Sequence, residues 1–225
     1  MEEEGVLYPA VQIGDYLRSA DLLHISNEIS FDPECPPARP LYTGSRFCSS
    51  PAYWELFESL DVDLFELTGN HMLDWKAPPF LATLALYQEQ GITYYGGGAN
   101  LTEAQRPLLL EDHGNRLAFI GCNAAGPAIA LAGEDNPGAA PCEDYDWLAD
   151  QVTALKSQGY LVIVTFQAIE VDDYEPSSAQ TVNFGRIARL GPVIVSGSQS
   201  HFPQGMAFEG DTFIHYGLGN LFFDQ

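Results

Sequence analysis

The stretch Leu67–Trp75 reads LTGNHMLDW and places Asn70, His71 and Asp74 within five residues, directly after the apolar run 62–67. An amide oxygen can bind a hard cation, an imidazole can transfer a proton near neutral pH, and a nearby carboxylate can orient the imidazole. Gly69 and Asn70 alone indicate no more than a turn, because both residue types tolerate a positive φ. The stretch therefore indicates a functional site only if other segments bring polar groups to the same place.

The elements that must position these side chains alternate along the chain. Runs rich in branched or aromatic apolar residues predict strands at Asp21–Ser26, Val62–Thr68, Leu108–Glu111, Leu117–Cys122, Tyr160–Phe166, Pro192–Ser196 and Thr212–Tyr216. Helical spacing predicts helices at Ser50–Leu60, Pro78–Gln90, Asp144–Gln158 and Ser177–Leu190. This alternation predicts an α/β fold with helices packed on sheet faces and an antiparallel portion near the C-terminus.

Polar side chains follow several of these strands at the point where each strand ends. The segments after them read SNEISF, TGNHMLD, FQAIEVDDYEP, GSQSHFPQ and GLGNLFFD. In α/β folds, functional groups gather in loops beyond the carboxyl ends of strands, because the strands fix the loop bases while the loops can vary. Asn, His, Glu and Gln from several strand ends are typical of a metal site, since they supply oxygen and nitrogen ligands.

The composition is that of a folded protein. Of the 225 residues, 46% are hydrophobic and 18% are charged, and this length predicts a single domain over residues 1–225. Asp and Glu number 31 against 9 Lys and Arg, which gives a formal net charge of −22. Such a surface repels phosphate backbones, so no nucleic-acid partner is expected. Excess carboxylates can attract cations, although most of them serve only to keep a protein soluble.

The four cysteines form two local pairs, Cys35 with Cys48 and Cys122 with Cys142, and neither pair has the spacing of a metal knuckle. Each pair encloses a segment rich in Pro and Gly, which favours two disulfides in an exported or cell-surface bacterial protein. The alternative is four reduced cysteines in a cytosolic protein. The N-terminal MEEEGVLYPA shows no signal peptide, and no stretch is long and apolar enough to span a membrane.

The polar stretch and its surroundings resemble a known family. TGNHMLDW, a following helix and GITYYGGGANLTEAQRPLLLEDHGNRLAFIGC are similar to the CapA-type poly-gamma-glutamate capsule-biosynthesis proteins, a branch of the calcineurin-like metallophosphoesterase superfamily. ADLLHISNE is similar to the family's strand ending in Asn-Leu-Glu, and GLGNLFFDQ to its Leu-Gly-Asn-Phe segment. The resemblance covers nearly the whole chain and implies a metallophosphoesterase-like sandwich of mixed β-sheets flanked by helices.

The resemblance also implies roles for residues at the strand ends. Glu28 stands at the place of a metal-bridging carboxylate, and Asn70 stands at that of an amide ligand. His71 would be a catalytic general acid, oriented by Asp74. The implied metal ligands are completed by Gln167, Gln199 and His201, and the candidate supporting groups around them are Glu170, His215 and Asn220.

Two positions depart from the family pattern, because Gln167 in FQA and Gln199 in QSH stand where the family has imidazoles. A Gln carbonyl can bind Mn, Mg or Ca but replaces imidazole poorly at an Fe or Zn centre, so a more weakly held divalent metal is expected. A binding pocket without catalysis fits these residues equally well. The family's first strand, which ends in Gly-Asp, and its C-terminal continuation are also expected to be missing from this sequence.

The function implied by the resemblance is biosynthesis of a capsule or cell-envelope polymer such as poly-γ-glutamate, with membrane-associated capsule machinery as a partner. An enzyme of this kind would be a metal-dependent hydrolase of phosphate esters or γ-glutamyl bonds, acting on the polymer or on a small phosphorylated or γ-glutamyl substrate. The alternatives are a non-catalytic assembly or polymer-binding protein on the same fold and a cytosolic phosphoesterase. A chain at −22 repels a polyanion unless cations or a local basic surface intervene.

Overall fold

The computed structural model describes residues 4–37, 44–169 and 171–222 of the chain. Its strands are β1 His24–Ser26, β2 Leu64–Glu66, β3 Thr93–Tyr95, β4 Gly97–Gly98, β5 Leu108–Asp112, β6 Asn115–Asn123, β7 Gly138–Ala139, β8 Leu161–Gln167, β9 Ile194–Ser198, β10 Met206–Glu209 and β11 Thr212–His215. Its α-helices are α1 Gly14–Arg18, α2 Trp54–Ser59, α3 Ala77–Gln90, α4 Leu101–Ala104, α5 Asp146–Ser157 and α6 Ser178–Ala188. Every strand and helix predicted above is present, so the predicted α/β fold is confirmed.

Two main sheets organise these strands. The first sheet joins β1, β2 and β3 in parallel, in that order. The second has the order β10-β11-β9-β8-β6-β5, with parallel pairing from β11 to β6 and an antiparallel strand at each edge. A short antiparallel pair, β4 with β7, lies outside both. Because the central strands of each sheet are parallel, their carboxyl ends meet at one edge, where polar loops can converge.

Three apolar clusters join the layers. One lies between the second sheet and α5 and α6, and a second lies between the first sheet and α2 and α3. A third cluster, Leu64, Tyr95, Phe119 and Ile163, lies between the two sheets. Side chains of successive strand residues point to opposite faces, so Ile163 contacts the first sheet while its neighbours 162 and 164 face the helices. The order of layers is therefore helix, sheet, sheet, helix, which is the sandwich of mixed sheets that was expected.

Local sequence explains where the helices begin and end. Pro78 and Pro79 occupy the first turn of α3, and Gly91 ends that helix in the left-handed conformation at φ +71°. Ser177 begins α6 with a capping box, in which its side chain accepts from the Gln180 backbone while the Gln180 side chain accepts from the Ser177 backbone. These local features determine where α3 begins and ends and where α6 begins.

Both predicted disulfides are present, Cys35 with Cys48 and Cys122 with Cys142. In the three described ranges, no helix combines the length and the hydrophobicity needed to cross a membrane. The predictions of a single domain and of a missing family strand stay predictions.

Candidate functional site

The predicted residues Glu28, Asn70 and Gln167 are in direct contact at the carboxyl ends of the strands. Gln167 is the last residue of β8, and its Nε2 donates to Glu28 Oε1 at 2.8 Å and to Asn70 Oδ1 at 3.0 Å. The loops that carry the two acceptors are joined as well, because Ile29 and His71 form a parallel bridge. The strand ends therefore bring together residues that lie far apart in the sequence.

His71 forms a tight pair with Asp74. The distance between His71 Nδ1 and Asp74 Oδ2 is 2.7 Å, and the same oxygen accepts from the Phe47 backbone N–H at 2.8 Å. The Phe47 ring packs edge-on against the imidazole, with ring centroids 4.8 Å apart. Burial lowers the pKa of His71, but the hydrogen bond and charge of Asp74 and the charge of Glu28 outweigh it, so the pKa is raised. Asp74 makes the contact that its predicted orienting role requires.

Gln199 follows β9 directly, one residue beyond Ser198, which pairs with Gln167 in the parallel register. Its backbone has φ +79°, a conformation that costs a non-glycine residue about 1–3 kcal/mol. Its Oε1 is buried and has no hydrogen-bond partner within the described part of the chain. Strain and an unsatisfied acceptor at the same residue are typical of a functional position. The ligand-binding role of Gln199 stays a prediction.

The other predicted residues lie farther along the same loops. His201 Nδ1 contacts Asn220 Oδ1 at 2.8 Å, which joins the loop after β9 to the segment after β11. His215 is half-buried at the end of β11, and burial lowers its pKa. Glu170 lies outside the described residues.

Asn123 is a residue of the site that the sequence did not identify. Its Oδ1 accepts from the backbone N–H groups of Ala125 and Gly126, both at 2.8 Å. Its Nδ2 donates to the Thr68 carbonyl at 2.8 Å and to Gln167 Oε1 at 3.2 Å. Asn123 is 2% exposed and therefore acts on Gln167 from inside the protein.

The signal for Asn123 was present in the sequence. It is the last residue of β6, one position beyond the predicted strand Leu117–Cys122, and it pairs with Gln167 in the register of β6 and β8. Gln167 directly follows the predicted strand Tyr160–Phe166, and Asn123 directly follows Leu117–Cys122, so the strand-end rule applies to both residues.

The arrangement does not fit a divalent cation held between Glu28, Asn70 and Gln167. A cation needs oxygen or nitrogen lone pairs around it, yet the group directed at Glu28 and Asn70 is the NH₂ of Gln167. In the part of the chain that the structure describes, no three His, Cys, Asp or Glu side chains form a cluster that could hold a metal ion. The metal-binding roles given to these residues and to Gln199 and His201 stay predictions that a binding measurement must test.

Glu66 is a buried carboxyl beneath the site. It is the last residue of β2 and 1% exposed, and its Oε1 accepts from Thr68 Oγ1 at 2.5 Å and from Ser198 Oγ at 3.3 Å. Burial raises its pKa, against the hydrogen bonds from the surrounding hydroxyls, which lower it. The folded protein therefore binds the proton of Glu66 more tightly than the unfolded chain does.

We expect Glu66→Gln to flatten the dependence of stability on pH. Above the ordinary value of 4.5, the wild-type folded state holds a proton that the unfolded state has lost, so the free energy of unfolding falls as the pH rises toward the raised pKa. The loss is about 1.4 kcal/mol for each unit by which the pKa is raised. Urea denaturation of both proteins between about pH 5 and pH 9 measures it. Parallel curves for the two proteins would contradict the prediction.

Comparisons with known proteins agree with this fold. The family model for the bacterial capsule synthesis protein PGA_cap matches residues 2–225. The capsule biosynthesis protein CapA of Bacillus anthracis is 28% identical over 166 residues, which are 72% of this chain and 40% of that protein. The chain thus spans about two fifths of the length of that curated relative.

Two solved structures from Thermus thermophilus share the fold. A hypothetical protein superposes with a TM-score of 0.56 and 16% identity over 96% of this chain and 72% of its own. The protein TT1561 superposes with a TM-score of 0.51 and 12% identity over 98% of this chain and 86% of its own. At these identities the likeness concerns the fold alone, whereas the family model matches nearly every residue of the sequence. The chain belongs to the family of the bacterial capsule synthesis protein PGA_cap.

Proposed function

We propose that the protein takes part in assembling an anionic capsule polymer, poly-γ-glutamate, by binding it at the strand-end site without hydrolysing it. The observation that carries the proposal is a basic and aromatic rim beside the site, in which Phe47 packs on His71, Arg46 lies near Trp75, and the exposed Lys76 follows Trp75 in the sequence. The Arg46 guanidinium lies 5.9 Å from the centroid of the Trp75 ring. This geometry is that of a cation–π contact.

The positive charges of the rim can offset the repulsion that the net charge predicts between the protein and a polyanion. The chain carries only 9 Lys and Arg, and two of them, Arg46 and Lys76, are exposed beside the site. Asp74 is paired with His71, so its carboxylate does not oppose the rim as an isolated charge. A local positive surface of this kind can attract the carboxylates of a polyanion although the protein as a whole is acidic.

The rest of the molecule is compatible with a role at the bacterial cell surface. Two disulfides are typical of oxidising compartments outside the cytoplasm. The curated relative from Bacillus anthracis is named as a capsule biosynthesis protein. These observations support an exported protein with a role in capsule biosynthesis, and we propose membrane-associated capsule machinery as its partner.

The second candidate function is hydrolysis of a γ-glutamyl bond or a phosphate ester, and the His71–Asp74 pair favours it. An imidazole held by a carboxylate at 2.7 Å is suited to protonating a leaving group. The arrangement at Gln167 counts against it, because no cation fits between Glu28 and Asn70 as these side chains lie.

We expect purified protein to bind poly-γ-glutamate oligomers and to leave them intact. In calorimetric titrations, Arg46→Gln/Lys76→Gln should weaken binding about tenfold, which is about 1.4 kcal/mol. Added salt should weaken wild-type binding, since exposed charges are screened. The matched control is Lys156→Gln/Arg189→Gln, which makes the same charge change at two exposed residues near the far ends of α5 and α6 and should bind as the wild type does.

The same samples decide between binding and hydrolysis. Product formation from the oligomers and from a phosphodiester is followed with and without Mn²⁺, for the wild type and for His71→Ala. Turnover that disappears in His71→Ala would replace the binding proposal by the hydrolase. Equal loss of affinity in the two double variants would show that the rim is not the polymer site.

A further inference from the structure

The side-chain amide of Gln167 fills the space between the two oxygens that face each other at the strand ends. Its Nε2 carries two hydrogens, and these are directed at Glu28 Oε1 and Asn70 Oδ1. One nitrogen thus joins a carboxylate from the loop after β1 to an amide oxygen from the loop after β2. A metal ion bound by the same two oxygens would make the same connection.

The direction in which the Gln167 amide points is determined by its neighbours. The backbone N–H groups of Ala125 and Gly126 both donate to Asn123 Oδ1, which turns Asn123 Nδ2 toward Gln167 Oε1. A reversed Gln167 would place its oxygen against Glu28 Oε1 and its NH₂ against the NH₂ of Asn123. Both contacts are repulsive, so the chain of hydrogen bonds admits one orientation.

We propose that the Gln167 amide takes the place of a divalent cation between Glu28 and Asn70, and that Asn123 is the positioning residue that keeps it there. The site is then assembled without metal. The charge of the side chains in contact also fits this assignment. They are one carboxylate and three neutral amides, and a single carboxylate does not neutralise a divalent ion. The inference does not depend on the polymer proposal, because it concerns only which group connects the loops.

Two substitutions should convert this connection into a cation site. Gln167→Glu replaces the NH₂ by an oxygen and adds a second carboxylate beside Glu28, which is the ligand type that Mn²⁺ and Ca²⁺ prefer. Asn123→Asp removes the donor that faces Gln167 Oε1 and supplies an acceptor. The Gln167 amide can then turn its NH₂ toward the new carboxylate and its carbonyl oxygen toward Glu28 and Asn70.

The experiment is a calorimetric titration of chelator-treated protein with Mn²⁺ and, separately, Ca²⁺. The wild type should show no stoichiometric binding. Gln167→Glu should bind one ion, at least about tenfold more tightly than any residual binding by the wild type, and the affinity of Asn123→Asp should lie between the two. Gln88→Glu adds the same charge at an exposed position of α3 and serves as the matched control. Circular dichroism and thermal melts establish that each variant is folded.

Each result bears on the inference. Stoichiometric binding of Mn²⁺ by the wild type that Gln167→Ala abolishes would overturn it, even if Gln167→Glu failed to fold. Equal affinity of Gln167→Glu and Gln88→Glu would overturn it as well. Neither result would change the polymer titration, so the two proposals can fail separately.

Discussion

Gly69→Ala should lower the free energy of unfolding by about 3 kcal/mol, at the upper end of the cost of overpacking a tight contact. A Cβ at this position would lie 2.6 Å from the Glu28 Cα and carbonyl oxygen and 2.9 Å from its carbonyl carbon. These are backbone atoms and cannot move aside as the end of a flexible side chain can. The substitution would therefore push apart the two loops that carry Glu28 and Asn70.

The matched control for this prediction is Gly205→Ala, because no atom outside the adjacent residues lies within 4 Å of the Cβ that it would introduce. Its stability should stay within about 0.5 kcal/mol of the wild type. Urea denaturation gives both free energies. If Gly69→Ala is as stable as Gly205→Ala, the two loops are not packed as closely as described.

Gly69 illustrates how far the sequence predicts the site. Gly-Asn was correctly seen as a turn signal, yet the glycine is needed for another reason, the approach of the Glu28 backbone from a different strand end. This contact joins two segments that are about 40 residues apart, which is the separation of β1 and β2 in the sequence. A local sequence pattern therefore cannot predict it. The rule that polar groups gather at carboxyl strand ends was enough to group Glu28, Asn70 and Gln167.

The orientation of Gln167 shows where the prediction ends. A sequence can say that an amide is present but not which of its two atoms faces a neighbour, because that is determined by the surrounding hydrogen bonds. Here the decisive donors are the backbone N–H groups of Ala125 and Gly126, which act through Asn123. The expectation of a weakly held metal treated the Gln167 carbonyl as the group facing Glu28, whereas in the structure the NH₂ faces it.

The four strands that the sequence did not predict, β3, β4, β7 and β10, are short or exposed. β8 is buried over nearly its whole length and has a continuous apolar sequence. β4 and β7 contain two residues each, of Gly and Ala, and β10 is a largely exposed edge strand. These three, like β3, are strands because of the partners they meet in the fold, which their own sequences do not specify.

Removal of the Cys122–Cys142 disulfide by Cys122→Ala/Cys142→Ala should lower the free energy of unfolding by about 3 kcal/mol in the chain-entropy account of a loop of this length. The bond also reaches the site. Cys122 precedes Asn123, whose backbone N–H donates to the Ala140 carbonyl at 2.7 Å and whose carbonyl accepts from the Cys142 N–H at 3.1 Å. We therefore expect the side-chain NH₂ resonances of Asn123 and Gln167 to shift and to exchange faster.

The other disulfide is the matched comparison, because it supports the opposite half of the site. Cys35→Ala/Cys48→Ala opens a loop of similar length and should cost a similar free energy of unfolding, again about 3 kcal/mol. Cys48 follows Phe47, whose N–H donates to Asp74 and whose ring packs on His71. This variant should shift the imidazole resonances of His71 and leave the Gln167 amide unchanged. If both variants perturb both sets of resonances equally, the disulfides act on the whole fold, and neither one holds its own half of the site.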